Sequence, residues 1–205
     1  MKPRTAPSLS KTSAILLAVG LLGSPALAER STCSRLDLPA GADACETFGP
    51  AYSVDQLPAV FTVTREGTDT CPGFSEHRTI RDAAYQWSTV PGSSFSFKFG
   101  GFEERSVGGL FPDGVQHLTF LAMNDGTLGK VWHWIPRQAD VAFQDDDIWD
   151  CGGGDLSLIA VSLHQLGHAL GLGHSTDPES VLNPNSWAEE LSASDEECLR
   201  NLYPR

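Results

Sequence analysis

Apolar residues recur along this chain with strand-like spacing in some segments and helix-like spacing in others. Alternating β-branched residues over 60–64 predict a strand, and three phenylalanines alternate with polar residues over 94–99 in a second strand. Between them, apolar residues three and four apart over 76–87 predict an amphipathic helix. Three further strands are predicted over 115–122, 129–135 and 139–143.

Two helices are predicted after the last of these strands. The first runs over 156–171, with Asp155 as its N-cap and Gly171 at its end, and its apolar residues cover most of its surface. We therefore expect it to lie in the core. The second begins after Ser192, continues through acidic residues and two leucines, and ends before Pro204.

The first 28 residues differ in composition from the rest. Three basic residues precede an apolar run over 14–22 and a small-residue box that ends at Ala28, which is typical of a cleaved secretory signal peptide. The apolar run has about half of the roughly 20 residues that span a bilayer. We expect a secreted or periplasmic protein, with a non-periodic N-terminal extension over 29–51 and one domain over 52–205.

The acidic composition limits the partners. The formal net charge of the whole chain is −12, and removal of the predicted leader with its three basic residues would make it −15. This sign argues against nucleic acid and anionic membranes as partners. We expect a monomer.

The segment 164–174 reads His-Gln-Leu-Gly-His-Ala-Leu-Gly-Leu-Gly-His. Histidines four residues apart share one face of a helix, and Gly171 lets the chain turn so that His174 joins them. Three imidazoles with one open position form a common catalytic zinc site. We therefore expect Zn²⁺ to bind His164, His168 and His174.

This motif resembles the zinc-binding signature of matrixins, a branch of the metzincin metallopeptidases. Residues 180–184 look like the family's Met-turn, with Leu182 in place of the methionine at a similar volume. The resemblance covers 52–205. It implies an α+β fold with a mixed five-stranded sheet, a backing helix, a zinc-binding helix and a small C-terminal subdomain.

The resemblance also implies a function. It indicates an exported zinc metalloendopeptidase whose ligand is an extended polypeptide, docked along an edge strand over 129–135. Pro184 and Trp187 would shape one wall of the specificity pocket.

Gln165 is the main departure from the family pattern, because it stands where the family has the glutamate that acts as general base. An amide can hydrogen-bond a water but cannot keep its proton. Since such a base contributes about 10²- to 10⁴-fold, we expect strongly impaired hydrolysis. The alternative is a zinc-binding pseudopeptidase that captures peptides without cleaving them. Asp177 and Glu179 are the carboxylates nearest to the motif in sequence, but no motif assigns them the role.

Other candidate metal ligands have weaker support. His77, His117 and His133 lack the family's spacing for a second, structural zinc, so hydrogen-bonded or surface histidines are the simpler interpretation. The acidic run 145–147 is either a calcium site, as similar family segments are, or a solvated turn.

The five cysteines all follow the predicted leader, and they predict two disulfides and one remaining thiol. Cys33 and Cys45 are close enough in sequence to close a small loop, but several pairings stay open. The remaining thiol is either unused or, as in matrixin propeptides, a cap on the zinc.

Overall fold

The computed structural model describes residues 30–32, 47, 51–68, 71, 75–104, 115–123, 126–134, 138–145, 149–152 and 156–205. The predicted leader lies outside these residues. Six strands and three α-helices lie within them: β1 Arg30–Thr32, β2 Ala59–Thr64, α1 Ser75–Ser88, β3 Phe97–Glu103, β4 Gln116–Leu121, β5 Gly129–Trp134, β6 Gln138–Gln144, α2 Leu158–Ala169 and α3 Ala193–Leu202.

The strands form one mixed sheet with the order β1-β5-β6-β4-β2-β3. The pairs β2–β3, β2–β4 and β4–β6 are parallel, whereas β5–β6 and β1–β5 are antiparallel. The five predicted strands are all present, and the α+β fold with a mixed sheet is confirmed. The short strand β1 is an addition that the sequence pattern did not predict.

The expectation that residues 129–135 form an edge strand is wrong. Strand β1 pairs with β5 from Arg30 opposite Trp132 to Thr32 opposite Lys130, so β5 has a neighbour on each side. The backbone groups of an edge strand are a template for any chain segment that can add to them. Here a segment of the predicted N-terminal extension adds to β5.

Helices α1 and α2 pack against the sheet and against each other. Helix α1 contacts β3, and α2 contacts β5 and β6. The indole Nε1 of Trp87 on α1 donates a hydrogen bond to the Leu163 carbonyl of α2 at 3.0 Å, and the ring is fully buried. This bond satisfies the polar atom of a large core side chain. The core helix predicted for the metal motif is therefore present, held from one side by α1. Among the described residues, no helix is both long and apolar enough to cross a bilayer.

Two predicted elements, α2 and β3, have wrong boundaries. The N-cap of α2 is Ser157, whose hydroxyl accepts from the Ala160 N–H, and not Asp155. Leu156 cannot join the helix because it forms a β-bridge with Trp149, and its carbonyl accepts the Asp150 N–H at 2.9 Å. Helix α2 ends at Ala169, two residues before Gly171.

Strand β3 is the second element with a wrong boundary, because it begins at Phe97 and not at residue 94. The Ser94 N–H donates to the Tyr203 carbonyl at 2.9 Å, and the Phe95 ring packs on the Tyr203 ring. These contacts direct the preceding residues towards the C-terminal segment and away from the sheet.

A disulfide joins Cys71 to Cys151, with a Cα–Cα distance of 5.2 Å. It links the segment before α1 to the short turn before α2. Cys198 is disulfide-bonded as well. Cys33 and Cys45 lie outside the described residues.

Candidate metal centre

Three histidine rings converge at the end of α2. His164 and His168 lie one turn apart on the buried helix, and His174 follows a turn at Gly171, whose φ is +99°. Such a φ strains any residue with a Cβ, so glycine allows the chain to turn there. One ligand atom of each ring lies within 4.8 Å of the others. Among the described residues, this is the one group of three or more potential ligands that could hold a metal ion.

The hydrogen bonds of two rings determine which nitrogen faces the centre. The Nδ1 of His164 lies 2.7 Å from the Val181 carbonyl, and the Nδ1 of His168 lies 2.8 Å from the Leu172 carbonyl. A carbonyl only accepts, so each Nδ1 carries the proton and each Nε2 carries a lone pair. The two Nε2 atoms are 2.9 Å apart. Two lone pairs at this distance repel each other, and a cation between them removes the repulsion.

The His164 and His168 rings remain neutral at physiological pH. Burial, followed by the effect of His174, lowers the pKa of His164 to about 4. Burial and the neighbouring imidazoles hold the pKa of His168 well below its usual range. Neutral imidazole is the form that coordinates a metal, so the centre is ready to bind one.

The side chain of Gln165 is buried beside this cluster, with 1% of its surface exposed. It lies against the backbone of Gly129 at the start of β5, where a Cβ would fall 2.7 Å from the Gln165 Cγ. Glycine at 129 therefore makes room for the side chain. Within the described part of the chain, the Gln165 Oε1 has no hydrogen-bond partner. A buried acceptor without a partner costs about 1–3 kcal/mol, and a water on a metal would supply the missing donor.

The turn at residues 180–183 supports the histidines from below. The Val181 carbonyl accepts a hydrogen bond from His164. The Leu182 side chain is buried, and the Leu182 carbonyl accepts the Ser175 N–H at 3.1 Å. A Cβ added at Gly167 would fall 2.6 Å from a Leu182 methyl, so helix and turn are in close contact. Leucine thus provides an apolar floor in the predicted Met-turn.

Asp195 of α3 anchors this turn. Its buried carboxylate accepts the Ser180 hydroxyl and the Val181 N–H, and it also accepts the N–H of the helix cap Ser192. The same side chain therefore caps α3 and fixes the turn whose carbonyl orients His164. Sequence reasoning recognised Asp195 only as part of the helix start.

A cavity of about 300 Å³ opens beside His164 and Gln165. The predicted Pro184 and Trp187 both line it, and Trp187 is about half exposed. Apolar side chains form much of the remaining wall: Leu128, Leu156, Ala160 and Val161. The cavity is suited to an apolar side chain of a ligand held near the histidines.

The alternative bases, Asp177 and Glu179, are not members of the histidine group. The Asp177 carboxylate accepts the Ser194 hydroxyl and the Glu179 N–H, and these bonds lower the pKa of Asp177. The Asp177 carboxylate is therefore hydrogen-bonded to its own loop and to the first turn of α3. The Glu179 side chain is exposed to solvent.

The other candidate ligands are dispersed. The His77 Nε2 lies 3.0 Å from the Thr64 carbonyl, the His117 Nδ1 lies 2.7 Å from Glu103, and His133 is buried in β5. None of them joins a group of three ligands among the described residues. Asp145 is half-buried, and residues 146–147 of the acidic run lie outside the described residues.

The domain has an α+β fold with a mixed sheet, and its helix α2 presents buried, neutral histidines beside an apolar cavity. These features are those of a metal-binding protein. The family model described as Matrixin matches residues 59–204. The chain therefore belongs to the matrixin family of metalloproteases, a family that implies zinc.

Related proteins agree with this assignment. The chain is 34% identical to matrix metalloproteinase-25 of Mus musculus over 96 residues, which is 40% of this chain and 16% of the relative. It is 40% identical to matrilysin of Felis catus over 85 residues, 38% of this chain and 32% of the relative. With matrix metalloproteinase-27 of Tupaia belangeri it shares 30% identity over 133 residues, 60% of this chain and 25% of the relative. The matches thus span at most about a third of these relatives.

Proposed function

We propose that the protein is an exported matrixin-type zinc metalloendopeptidase whose peptide-bond hydrolysis is strongly impaired by Gln165. The main support for the zinc site is the distance of 2.9 Å between the Nε2 atoms of His164 and His168. The Nδ1 atom of each ring donates to a backbone carbonyl, so both Nε2 atoms carry a lone pair. His164, His168 and His174 would hold the ion, leaving a position open for water or a substrate carbonyl. We also propose that the protein acts as a monomer.

The protein residues around the ion have separate tasks. Zinc supplies Lewis acidity, which polarises a carbonyl and lowers the pKa of a bound water. Val181 and Leu172 keep the imidazoles in the ligating tautomer through their carbonyls. The Gln165 Oε1 has no partner among the described residues and would accept a hydrogen bond from a water. An amide cannot take the proton away or return it to a leaving amine.

The ligand would be an extended polypeptide. Strand β1 demonstrates that the outer edge of β5 accepts an antiparallel segment, and this pairing ends at Lys130, one residue from the glycine that lies against Gln165. A peptide added to the same edge would lie beside the histidines, and one of its side chains would enter the apolar cavity. Because β1 occupies the edge, such a peptide has to displace it.

A second candidate function is peptide capture without cleavage. The burial of Gln165 against Gly129 favours peptide capture. A well-packed neutral side chain stands in place of the general base, while the histidines and the cavity are retained. In the described part of the chain, no carboxylate belongs to the group of potential ligands that the three histidines form. The two candidates share the zinc site and differ only in whether a bound peptide is cut.

Metal analysis and peptide assays on the same zinc-loaded preparation test both candidates. We expect about one zinc per chain after desalting and much less in His168→Ala. Binding of a peptide library followed by slow, chelator-sensitive cleavage supports the peptidase, and binding without cleavage supports capture. Equal zinc retention by the parent and His168→Ala would refute the assigned site.

A further inference from the structure

A second concave site lies on α1 and the neighbouring ends of β2 and β3. This arginine cavity has a volume of about 560 Å³, and none of the metal-centre residues lines it. Its lining consists of three arginines, two aromatic residues, one histidine and one acidic residue: Arg65, Arg78, Arg81, Phe102, Tyr85, His77 and Asp82.

The charge of the arginine cavity is opposite to that of the protein. The chain has 14 basic residues and a formal net charge of −12, yet three arginines line this one cavity. Among the described lining residues, Asp82 is the one acid against three arginines, so positive charge exceeds negative charge on the lining. A concave surface concentrates such a local field and attracts anions.

Two of the guanidinium groups form no ion pair with any described residue. Within the part of the chain that the structure describes, no carboxylate lies within 4 Å of Arg78 or Arg81. Arg65 pairs with Glu104 at 2.8 Å, but both side chains are largely exposed, so the pair is weak. Arg78 and Arg81 are therefore available to an anion from solution.

Aromatic rings position two of these arginines. The Arg81 guanidinium lies over the Phe99 ring at 4.9 Å, and that of Arg65 lies over the Phe102 ring at 5.4 Å. A stacked guanidinium keeps its N–H groups free at the edge, where they match the oxygens of phosphate or sulfate. The exposed rings of Tyr85 and Phe102 provide apolar surface beside these groups.

We propose that the arginine cavity binds a small organic polyanion that carries at least two phosphate or sulfate groups on a ring scaffold. Three guanidinium groups around one space can pair with more than one tetrahedral oxyanion, and the volume admits a molecule of sugar size. The ring scaffold would rest on Tyr85 and Phe102. The site is independent of the zinc centre and of the proposed peptide chemistry.

Calorimetric titration tests this proposal on the whole protein. The probes are sucrose octasulfate and inositol hexakisphosphate, with sucrose and inositol as neutral controls. We expect both charged probes to bind and to weaken as salt rises, because exposed charges are screened. His168→Ala should leave this binding unchanged.

Matched variants distinguish the arginine cavity from general charge attraction. Arg78→Gln and Arg81→Gln should each weaken binding about tenfold or more, since each removes charge-assisted hydrogen bonds. Arg200→Gln removes the same charge from α3, where Arg200 pairs with Glu196, and should have little effect. Asp82→Asn should strengthen binding several-fold, a gain that misfolding cannot produce. Equal losses in Arg81→Gln and Arg200→Gln, or no binding of either probe, would overturn the proposal.

Discussion

Replacement of Gln165 by glutamate should restore peptide hydrolysis. The two side chains have nearly the same shape, and the space beside Gly129 already accommodates one of them. The Gln165 Oε1 has no partner within the described residues, so a carboxylate oxygen placed there displaces no existing hydrogen bond. The variant would regain a group that accepts a proton from water and returns it to the leaving amine.

The expected gain is about 10²- to 10⁴-fold in kcat/KM, the contribution of one general base. At 1.36 kcal/mol per factor of ten, this equals about 3–5 kcal/mol of transition-state stabilisation. The substitution also has a cost, because Gln165 is 1% exposed and a buried carboxylate is poorly solvated. The metal-free variant should therefore unfold at a lower temperature than the metal-free parent, and zinc should remove much of the difference.

The assay compares cleavage of one peptide library by zinc-loaded parent, Gln165→Glu and Gln165→Ala at equal zinc content. The alanine variant controls for loss of the amide, and it should not gain activity. If the parent already matches Gln165→Glu, another group acts as the base and the reasoning fails. If Gln165→Glu holds zinc, binds peptide and cleaves nothing, the site has diverged beyond one residue.

Three further outcomes follow from the contacts around the centre. Asp195→Ala should lower the free energy of unfolding by about 3 kcal/mol in denaturant titration, against about 1 kcal/mol for Ser192→Ala, because only the former also releases the 180–183 turn. The free energy of unfolding of the metal-free protein should fall as the pH is lowered from 6.5 towards 4. The pKa of His164 is about 4 in the folded protein and near 6.5 in the unfolded chain, so only the unfolded chain binds a proton in this range. The loss of stability is on the order of 3 kcal/mol. Thermal unfolding across that pH range measures it, and a flat profile would contradict the burial of the ring. A chain that begins at residue 33 lacks β1 and should bind peptides about tenfold more tightly in a fluorescence titration; unchanged affinity would mean that β1 does not compete.

The elements with a periodic pattern of burial were predictable from the sequence. Helix α1 was predicted over 76–87 and lies at Ser75–Ser88, and β5 was predicted over 129–135 and lies at Gly129–Trp134. The cap of α3 at Ser192 was also predicted correctly. In each case a local signal, either spacing or a capping side chain, agrees with the burial found in the fold.

The remaining features depend on contacts between distant segments. Strand β1 has three residues, and it pairs through backbone groups that are the same for any sequence. The start of β3 is set by the C-terminal Tyr203, and the start of α2 by the bridge between Trp149 and Leu156. Neither contact leaves a local pattern that could be recognised.

Some features of the candidate site were also predictable from the sequence, and others depend on contacts between distant segments. The spacing of the three histidines was sufficient to place them together, since helix geometry and one glycine turn determine it. The role of Gly129 depends on how β5 lies against α2, and the role of Asp195 depends on how α3 lies against the turn. A glycine at a strand start and an acidic residue after a helix cap are both common, so neither was distinctive in the sequence.

The disulfide between Cys71 and Cys151 makes the durability of the fold depend on its redox surroundings. It closes a loop of 80 residues that contains α1 and most of the sheet. By the loop-entropy relation, such a cross-link disfavours the unfolded chain by about 4–5 kcal/mol, much of the total stability of a typical domain. In a reducing compartment that contribution disappears, and the helix with the histidines loses its tether to the segment before α1. The compartment in which the chain matures therefore determines how stable the fold around its three histidines is.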